Sequence, residues 1–145
     1  MIYLDTSAFV KLYFLEDGSD FVQSCVTSQD DPLPVWDILE AELLSACRLK
    51  AFWGDIAPAQ ADQQIALFEQ RLRRGQYHVV EVDRSALMGS FRSLCRQTPQ
   101  LGCRTMDILH VACALQLAPA RFLSYDGRQR ALATLAGLSV LPEPT

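Results

Sequence analysis

The sequence has no surplus of positive charge. Its 13 lysines and arginines are outnumbered by 17 aspartates and glutamates, giving a net charge of −4 and a pI of about 5.1. Proteins that grip nucleic acid by bulk charge are basic, so that class is excluded. A nuclease that draws positive charge from metal ions and a local arginine patch is not. The chain also lacks any apolar run of the roughly 18 residues that a membrane helix needs. Asp5 breaks the first apolar stretch with no positive region ahead of it, unlike a secretory signal. The expectation is a cytoplasmic protein without a membrane partner. Cys25, Cys47, Cys95, Cys103 and Cys113 include no C-x-x-C pair. An odd set in mostly apolar, helical contexts reads as buried reduced thiols rather than disulfides or zinc ligands. Internal repeats, low-complexity tracts and domain linkers are absent too.

What remains is an ordinary globular composition, 50% apolar and 21% charged over 145 residues, expected to form a single domain spanning 1–145. Short apolar strands alternate with helices. MIYL reads as a strand, residues 6–16 as a helix, and 19–29 as a second short helix. After the DDPLP turn comes the strand LPVW, then a long helix from Asp37 to near Gly54. An amphipathic helix follows over 58–74, with Pro58 in its first turn and Gly75 past its end. YHVVEV is a third strand, and Asp83 caps a helix over DRSALMGSFRSLCRQ. TPQLG reads as a connection. TMDILHVACALQLA is a helix apolar nearly all round and therefore buried. RFLSY, GRQRALATLAG and LSVL complete the chain as strand, helix, strand. The alternation predicts a parallel sheet with helices on both faces.

Four acids stand where such a fold buries its surface. Asp5 follows the first strand directly, at the carboxyl edge where open α/β sheets place ligands, although a helix cap would use the same residue. Asp126 repeats that position after RFLSY, with a cap or D-G turn as the plain alternative. Asp107 lies on the all-apolar helix, where an unpaired carboxylate needs a cation or a raised pKa; a pairing with Arg104 is the structural alternative. On the long helix Glu42 falls inside the apolar arc of Ile38, Leu39, Ala46, Leu49 and Trp53. Glu40 falls outside it and suits a capping role after Asp37. If such acids converge, like charges cannot all stay ionised without cations. An oxygen-only set suits Mg²⁺ (or Mn²⁺), and hence phosphate chemistry.

The segments YLDTSAFVKLY, EAELLSA, RTMDILHVACAL and RFLSYDGRQ, in this order and covering nearly the whole chain, resemble a PIN domain, and more specifically the VapC-type toxins of bacterial toxin–antitoxin pairs. The resemblance implies a three-layer α/β/α fold with a five-stranded parallel sheet of order 3-2-1-4-5. It implies a Mg²⁺- or Mn²⁺-dependent endoribonuclease acting on an RNA substrate. It also implies a homodimer silenced by a small cognate antitoxin. The family's acids map onto Asp5, Glu42, Asp107 and Asp126, and its hydroxyl positions onto Thr6, Ser7 and Ser124. Met106 stands where leucine is more usual.

On this reading Asp5 and Asp107 are the main metal ligands. Glu42 binds metal through water or orients the attacking water, and Asp126 completes a second-metal position or the outer shell of the site. Arg128 and Arg130, beside Asp126, are candidates for contact with RNA phosphates. The RLRRG arginines (Arg71, Arg73 and Arg74) suit a helix C-terminus, and His110 and His78 read as structural. Part of the apolar FVKLYF stretch is expected to form a dimer or antitoxin surface. A receiver-type regulator does not fit, because a single Asp follows the first strand and no lysine occurs beyond Lys50. A housekeeping PIN nuclease without an antitoxin and a non-catalytic α/β binding module are the other readings.

Overall fold

The computed structural model describes residues 1–144. In chain order the elements are β1 (Ile2–Leu4), α1 (Thr6–Phe9), a 3₁₀ turn (Val10–Leu12), α2 (Ser19–Thr27), β2 (Leu33–Val35), α3 (Asp37–Phe52) and α4 (Pro58–Arg73). Then follow β3 (Tyr77–Val79), α5 (Arg84–Leu94), a 3₁₀ turn (Cys95–Gln97), α6 (Thr98–Leu101), α7 (Thr105–Leu117), β4 (Arg121–Leu123), α8 (Gly127–Leu135) and β5 (Val140–Leu141). This is an α/β fold with helices flanking parallel strands. The expected helix over 6–16 is cut to a single α-turn followed by the 3₁₀ turn. The expected TPQLG connection is instead the one-turn α6, with Pro99 in the first turn, where its missing N–H has no partner to lose.

The chain divides into two compact units, Met1–Ala8 with the segment from Glu81 onward, and Phe9–Val80. In the first, β1 pairs with β4 (Ile2 opposite Arg121, Leu4 opposite Leu123) and β4 with β5, all parallel. In the second, β2 pairs with β3, with Leu33 opposite Tyr77. Of the expected five-stranded order 3-2-1-4-5, the described residues pair 3-2 in a two-stranded ladder and 1-4-5 in a three-stranded one.

The first unit is built around α7, which packs against α5 and α8. Ile108, His110, Val111, Ala112, Cys113 and Ala114 are all buried, as an all-apolar helix requires. Tyr3 stacks on Phe122 at 5.4 Å between ring centroids, within that core. The Asp83 carboxylate caps α5 by accepting from the N–H groups of Ser85 and Ala86. In the second unit Phe9, Tyr13, Phe68 and Tyr77 form an aromatic core. Phe9 and Tyr13 of the FVKLYF stretch are therefore interior, whereas the neighbouring Leu15 is 92% exposed. All five cysteines are free thiols, and Cys47, Cys103 and Cys113 are buried.

Candidate active site

β1 ends at Leu4, but the ladder runs one residue further, because the Asp5 N–H donates to the Leu123 carbonyl at 3.1 Å. That bond fixes Asp5 at the carboxyl edge of the three-stranded sheet. Its side chain is only 2% exposed. Three donors meet its carboxylate: Ser7 Oγ (2.7 Å to Oδ1, 2.9 Å to Oδ2), the Ala8 N–H (2.9 Å to Oδ1) and Ser124 Oγ (2.7 Å to Oδ2). Each serine also accepts a backbone N–H from the chain leaving β4. Ser7 Oγ takes that of Tyr125 at 3.0 Å, and Ser124 Oγ that of Asp126 at 3.1 Å. A hydroxyl has one hydrogen to give, and both give it to Asp5. Burial pushes the Asp5 carboxyl up from the ordinary carboxylate range, and His110, the two hydroxyls and the Ala8 N–H only partly oppose that shift.

The other two acids of this unit are reached from helix starts. Asp107, in the first turn of α7, accepts the Arg104 backbone N–H on Oδ2 at 2.9 Å. Arg104 thus serves Asp107 through its backbone, closing the helix end. Asp126 is the N-cap of α8 and accepts the Gln129 N–H on Oδ1 at 2.9 Å. Capping, the plain alternative for these acids, is therefore real, but it occupies only part of each carboxylate. Asp107 and Asp126 both line one open cavity of about 490 Å³, together with Arg104, Met106, Gly127 and Arg128. The neighbouring Cys103 thiol is pushed up by burial and then by the charges of Asp107 and Asp126, with Arg128 opposing.

Gln129, which the sequence did not single out, joins these two acids. The residue is 3% exposed, its backbone N–H donates to the N-cap Asp126, and its Nε2 lies 3.4 Å from Asp107 Oδ1. Its Oε1 is the one buried side-chain polar atom without a hydrogen-bond partner among the described residues. Such an atom costs about 1–3 kcal/mol. The available signal was periodicity, since Gln129 shares the buried face of α8 with Leu132 and Ala133.

The remaining predicted residues fall as follows. Thr6 Oγ1 lies 3.2 Å from His110 Nε2, while His110 Nδ1 is 2.6 Å from the Tyr3 hydroxyl. His110 is thus a buried, hydrogen-bonded core histidine, as expected, and His78 is exposed on β3. Arg128 lines the cavity, with Nη1 3.5 Å from the Gly102 carbonyl. Arg130 points elsewhere. Its guanidinium donates to the carbonyls of Ser124 and Leu141 at 2.7 Å each and to that of Pro142, tying β4 to β5. Glu42 is half-buried on α3, in the Phe9–Val80 unit. That unit has its own cavity of about 380 Å³, lined by Asp30, Asp31, Arg71 and Tyr77 among others, and Arg71 sits 4.9 Å above the Tyr13 ring. None of the acids of the motif set lines it.

Among the described residues, no three Asp, Glu, His or Cys side chains stand close enough together to hold an ion by themselves. The cavity offers a pair of carboxylates and open volume. That donor set fits a hydrated hard cation, since Mg²⁺ keeps several waters and uses one or two carboxylates plus substrate phosphate oxygens. It does not fit zinc, which wants nitrogen or sulfur ligands.

Among curated proteins no match to the sequence was found. Solved structures do match across almost the whole length. VapBC-1 from nontypeable Haemophilus influenzae superposes with a TM-score of 0.66 at 18% identity, covering 97% of this chain and 96% of that one. The sarcin-ricin loop cleaving toxin VapC20 of Mycobacterium tuberculosis gives 0.67 at 14% identity, covering 95% and 96%. FitAcB from Neisseria gonorrhoeae gives 0.64 at 15% identity, covering 97% and 96%. At these identities the likeness is one of fold. The sequence itself matches the PIN domain family over residues 2–135, and the chain belongs to that family.

Proposed function

We propose that this protein is a divalent-metal-dependent endoribonuclease and the toxin of a VapBC-type pair, acting in the cytoplasm as a single PIN domain and restrained by a small cognate antitoxin. The observation that carries the reading is the cavity that brings Asp107 and Asp126 together with Arg104 and Arg128. Two acids and two arginines on one cleft are the donor set for a cation and a phosphate, and in a chain of net charge −4 such a cation and the local arginines are the sources of positive charge for holding RNA there. Family membership supports nuclease chemistry. The fold neighbours, a toxin that cleaves the sarcin-ricin loop and VapBC proteins among them, support the toxin reading.

The proposed direct cation ligands are Asp107 and Asp126, which share the cavity, with Asp5, which does not line it, and Glu42 as the remaining acids of the motif set; Mg²⁺ or Mn²⁺ is the metal. When bound, the cation supplies positive charge to the scissile phosphate and makes a bound water acidic enough to attack it. The chain's own part is to hold and orient. Ser7 and Ser124 fix the Asp5 carboxylate, the helix starts fix Asp107 and Asp126, and Arg128 meets phosphate oxygens. Arg130, engaged with three backbone carbonyls, keeps the β4–β5 edge in place instead. Homodimerisation is part of the proposal, and analytical ultracentrifugation at micromolar concentration tests it.

The test of the activity is RNA end-mapping with and without chelator, beside Asp5→Asn and Asp107→Asn. We expect defined new RNA ends with Mg²⁺ or Mn²⁺, and none with chelator or with either variant. Cleavage by Asp5→Asn at the wild-type rate overturns the site. Growth arrest on expression, relieved by a small DNA-binding protein encoded alongside, separates a toxin from a housekeeping PIN nuclease.

A further inference from the structure

Gln129 is an oddity in a well-packed helix face. It occupies a position shared with Leu132 and Ala133, where an apolar side chain would serve packing better. It reaches both carboxylates of the cavity, Asp126 through its backbone N–H at 2.9 Å and Asp107 through Nε2 at 3.4 Å. The contact to Asp107 is long for a charge-assisted hydrogen bond, so the amide is close to its acid without being tightened onto it. Its orientation is nonetheless determined. Exchanging the amide oxygen and nitrogen would set a carbonyl against a carboxylate oxygen, two acceptors with no hydrogen between them. Oε1 is therefore left as a buried acceptor without a donor. Nearly all buried polar groups in folded proteins find partners, and one that does not asks for a reason.

We propose that Gln129 is a positioning residue of the cation centre. Its amide N–H steers Asp107, and the unpartnered Oε1 is what the fold tolerates to keep that N–H beside the acid. The inference rests on the functional reading above for the presence of a cation and extends it to a neutral residue outside the acid set. Gln129 does not itself line the cavity and its Oε1 is closed to solvent, so it acts on the cation only through the Asp107 carboxylate. For packing alone the amide is a defect in the face of α8; its use is to aim Asp107.

The test compares wild type with Gln129→Met, which fills similar volume with neither donor nor acceptor. Mn²⁺ binding is read by titration calorimetry, and thermal unfolding is read in chelator. We expect Gln129→Met to unfold at the wild-type temperature or above it in chelator, because an unpartnered carbonyl has gone. We expect its Mn²⁺ affinity to fall roughly 10-fold to 100-fold, as for loss of other residues that orient metal ligands. RNA cleavage should lose kcat with KM unchanged, and Gln129→Asn, which keeps the amide, should restore part of the Mn²⁺ affinity. Wild-type Mn²⁺ affinity in Gln129→Met overturns the proposal. So does a large drop in its melting temperature in chelator, which would make the amide an ordinary element of the fold. A wild type that binds Mn²⁺ but leaves RNA intact defeats the nuclease reading while this inference stands, and a wild type that binds no Mn²⁺ defeats both.

Discussion

Ser124→Ala removes one oxygen from a fully buried position and should be far more harmful than its size suggests. Ser124 is 0% exposed, donates to Asp5 Oδ2 at 2.7 Å and accepts the Asp126 N–H at 3.1 Å. Losing a hydrogen bond to a charged group costs about 1.5–3 kcal/mol. The orphaned Asp126 N–H adds on the order of 0.5–1 kcal/mol, because that backbone is only partly buried and water can replace some of the bond. The expected total is about 2–4 kcal/mol, a large share of the roughly 5–15 kcal/mol that holds a domain together. Ser7→Ala breaks an equivalent pair of bonds at a half-buried position and should cost about 1–2 kcal/mol, since solvent can take over. Because the two serines share one carboxylate, the double variant should depart from additivity by more than about 0.5 kcal/mol. Urea unfolding in chelator measures all three, with the slope unchanged between variants. The hydroxyl bonds also hold down the Asp5 carboxyl, so Ser124→Ala should move the pH midpoint of Mn²⁺ binding upward. A loss below about 0.5 kcal/mol for Ser124→Ala, or one no larger than that for Ser7→Ala, would refute the clasp as the element that fixes Asp5.

Three further outcomes follow from the geometry. The Asp5 carboxyl is raised above its unfolded value of 3.8 by burial, so the folded state holds its proton longer than the unfolded state does. The associated stability is fully present below the unfolded pKa and is lost as pH rises through the folded one. In chelator, wild type should therefore lose stability relative to Asp5→Asn across that interval, and a flat difference in melting temperature would contradict it. Arg128→Ala should raise KM for RNA while changing stability by less than about 0.5 kcal/mol, as an exposed surface change does. Arg130→Ala, which takes the guanidinium from the carbonyls of Ser124 and Pro142 and leaves that of Leu141 with the Ser124 N–H, should cost about 2–3 kcal/mol and leave KM alone; reversal of that pattern would exchange their roles. His110→Ala should cost about 2–4 kcal/mol by leaving a cavity and removing the bond between the Tyr3 hydroxyl and Nδ1, with cleavage per folded molecule retained below the melting transition.

The contrast between Arg128 and Arg130 shows what a linear sequence can and cannot carry. Both stand within four residues of Asp126, and adjacency alone made both candidates for phosphate contact. Yet positions two apart on a helix point roughly 200° apart, so α8 cannot turn both toward one cavity. Once Asp126 is known to be the N-cap, the helical phase assigns Arg128 to the cleft and Arg130 to the sheet edge. Asp5 was legible for a different reason: a carboxylate directly after a buried strand is tied by chain connectivity to the sheet's carboxyl edge. The all-apolar α7 was legible because a helix without a polar face must be buried. The same rule placed Asp107 among apolar neighbours, though its partners proved to be a backbone N–H and a glutamine rather than the Arg104 guanidinium. Ser124 came from the motif, but its second bond, to the Asp126 N–H, depends on the turn after β4, which no pattern of residue types encodes. Gln129 escaped because it carries no formal charge, and only the spacing to Leu132 and Ala133 shows that it is interior.

Two features of the site work against the stability of the fold as it stands. Asp5 holds a carboxylate where burial disfavours its charge, and Gln129 holds a carbonyl where no donor reaches it. Sequences tolerate such penalties where function requires them, because selection acts on the working state of the protein. In the proposed cation centre both residues serve the ion. A divalent ion favours ionised Asp5, and Gln129 holds the Asp107 that meets it. Binding to the folded state alone would add about 2.7 kcal/mol of stability at 100 times Kd. Wild type should therefore gain melting temperature with Mn²⁺, Gln129→Met should gain less because it binds more weakly, and Asp5→Asn should gain least of the three. An equal gain in all three would mean that the ion binds away from these residues, and the link between the buried acid, the lone carbonyl and the cleft would be broken.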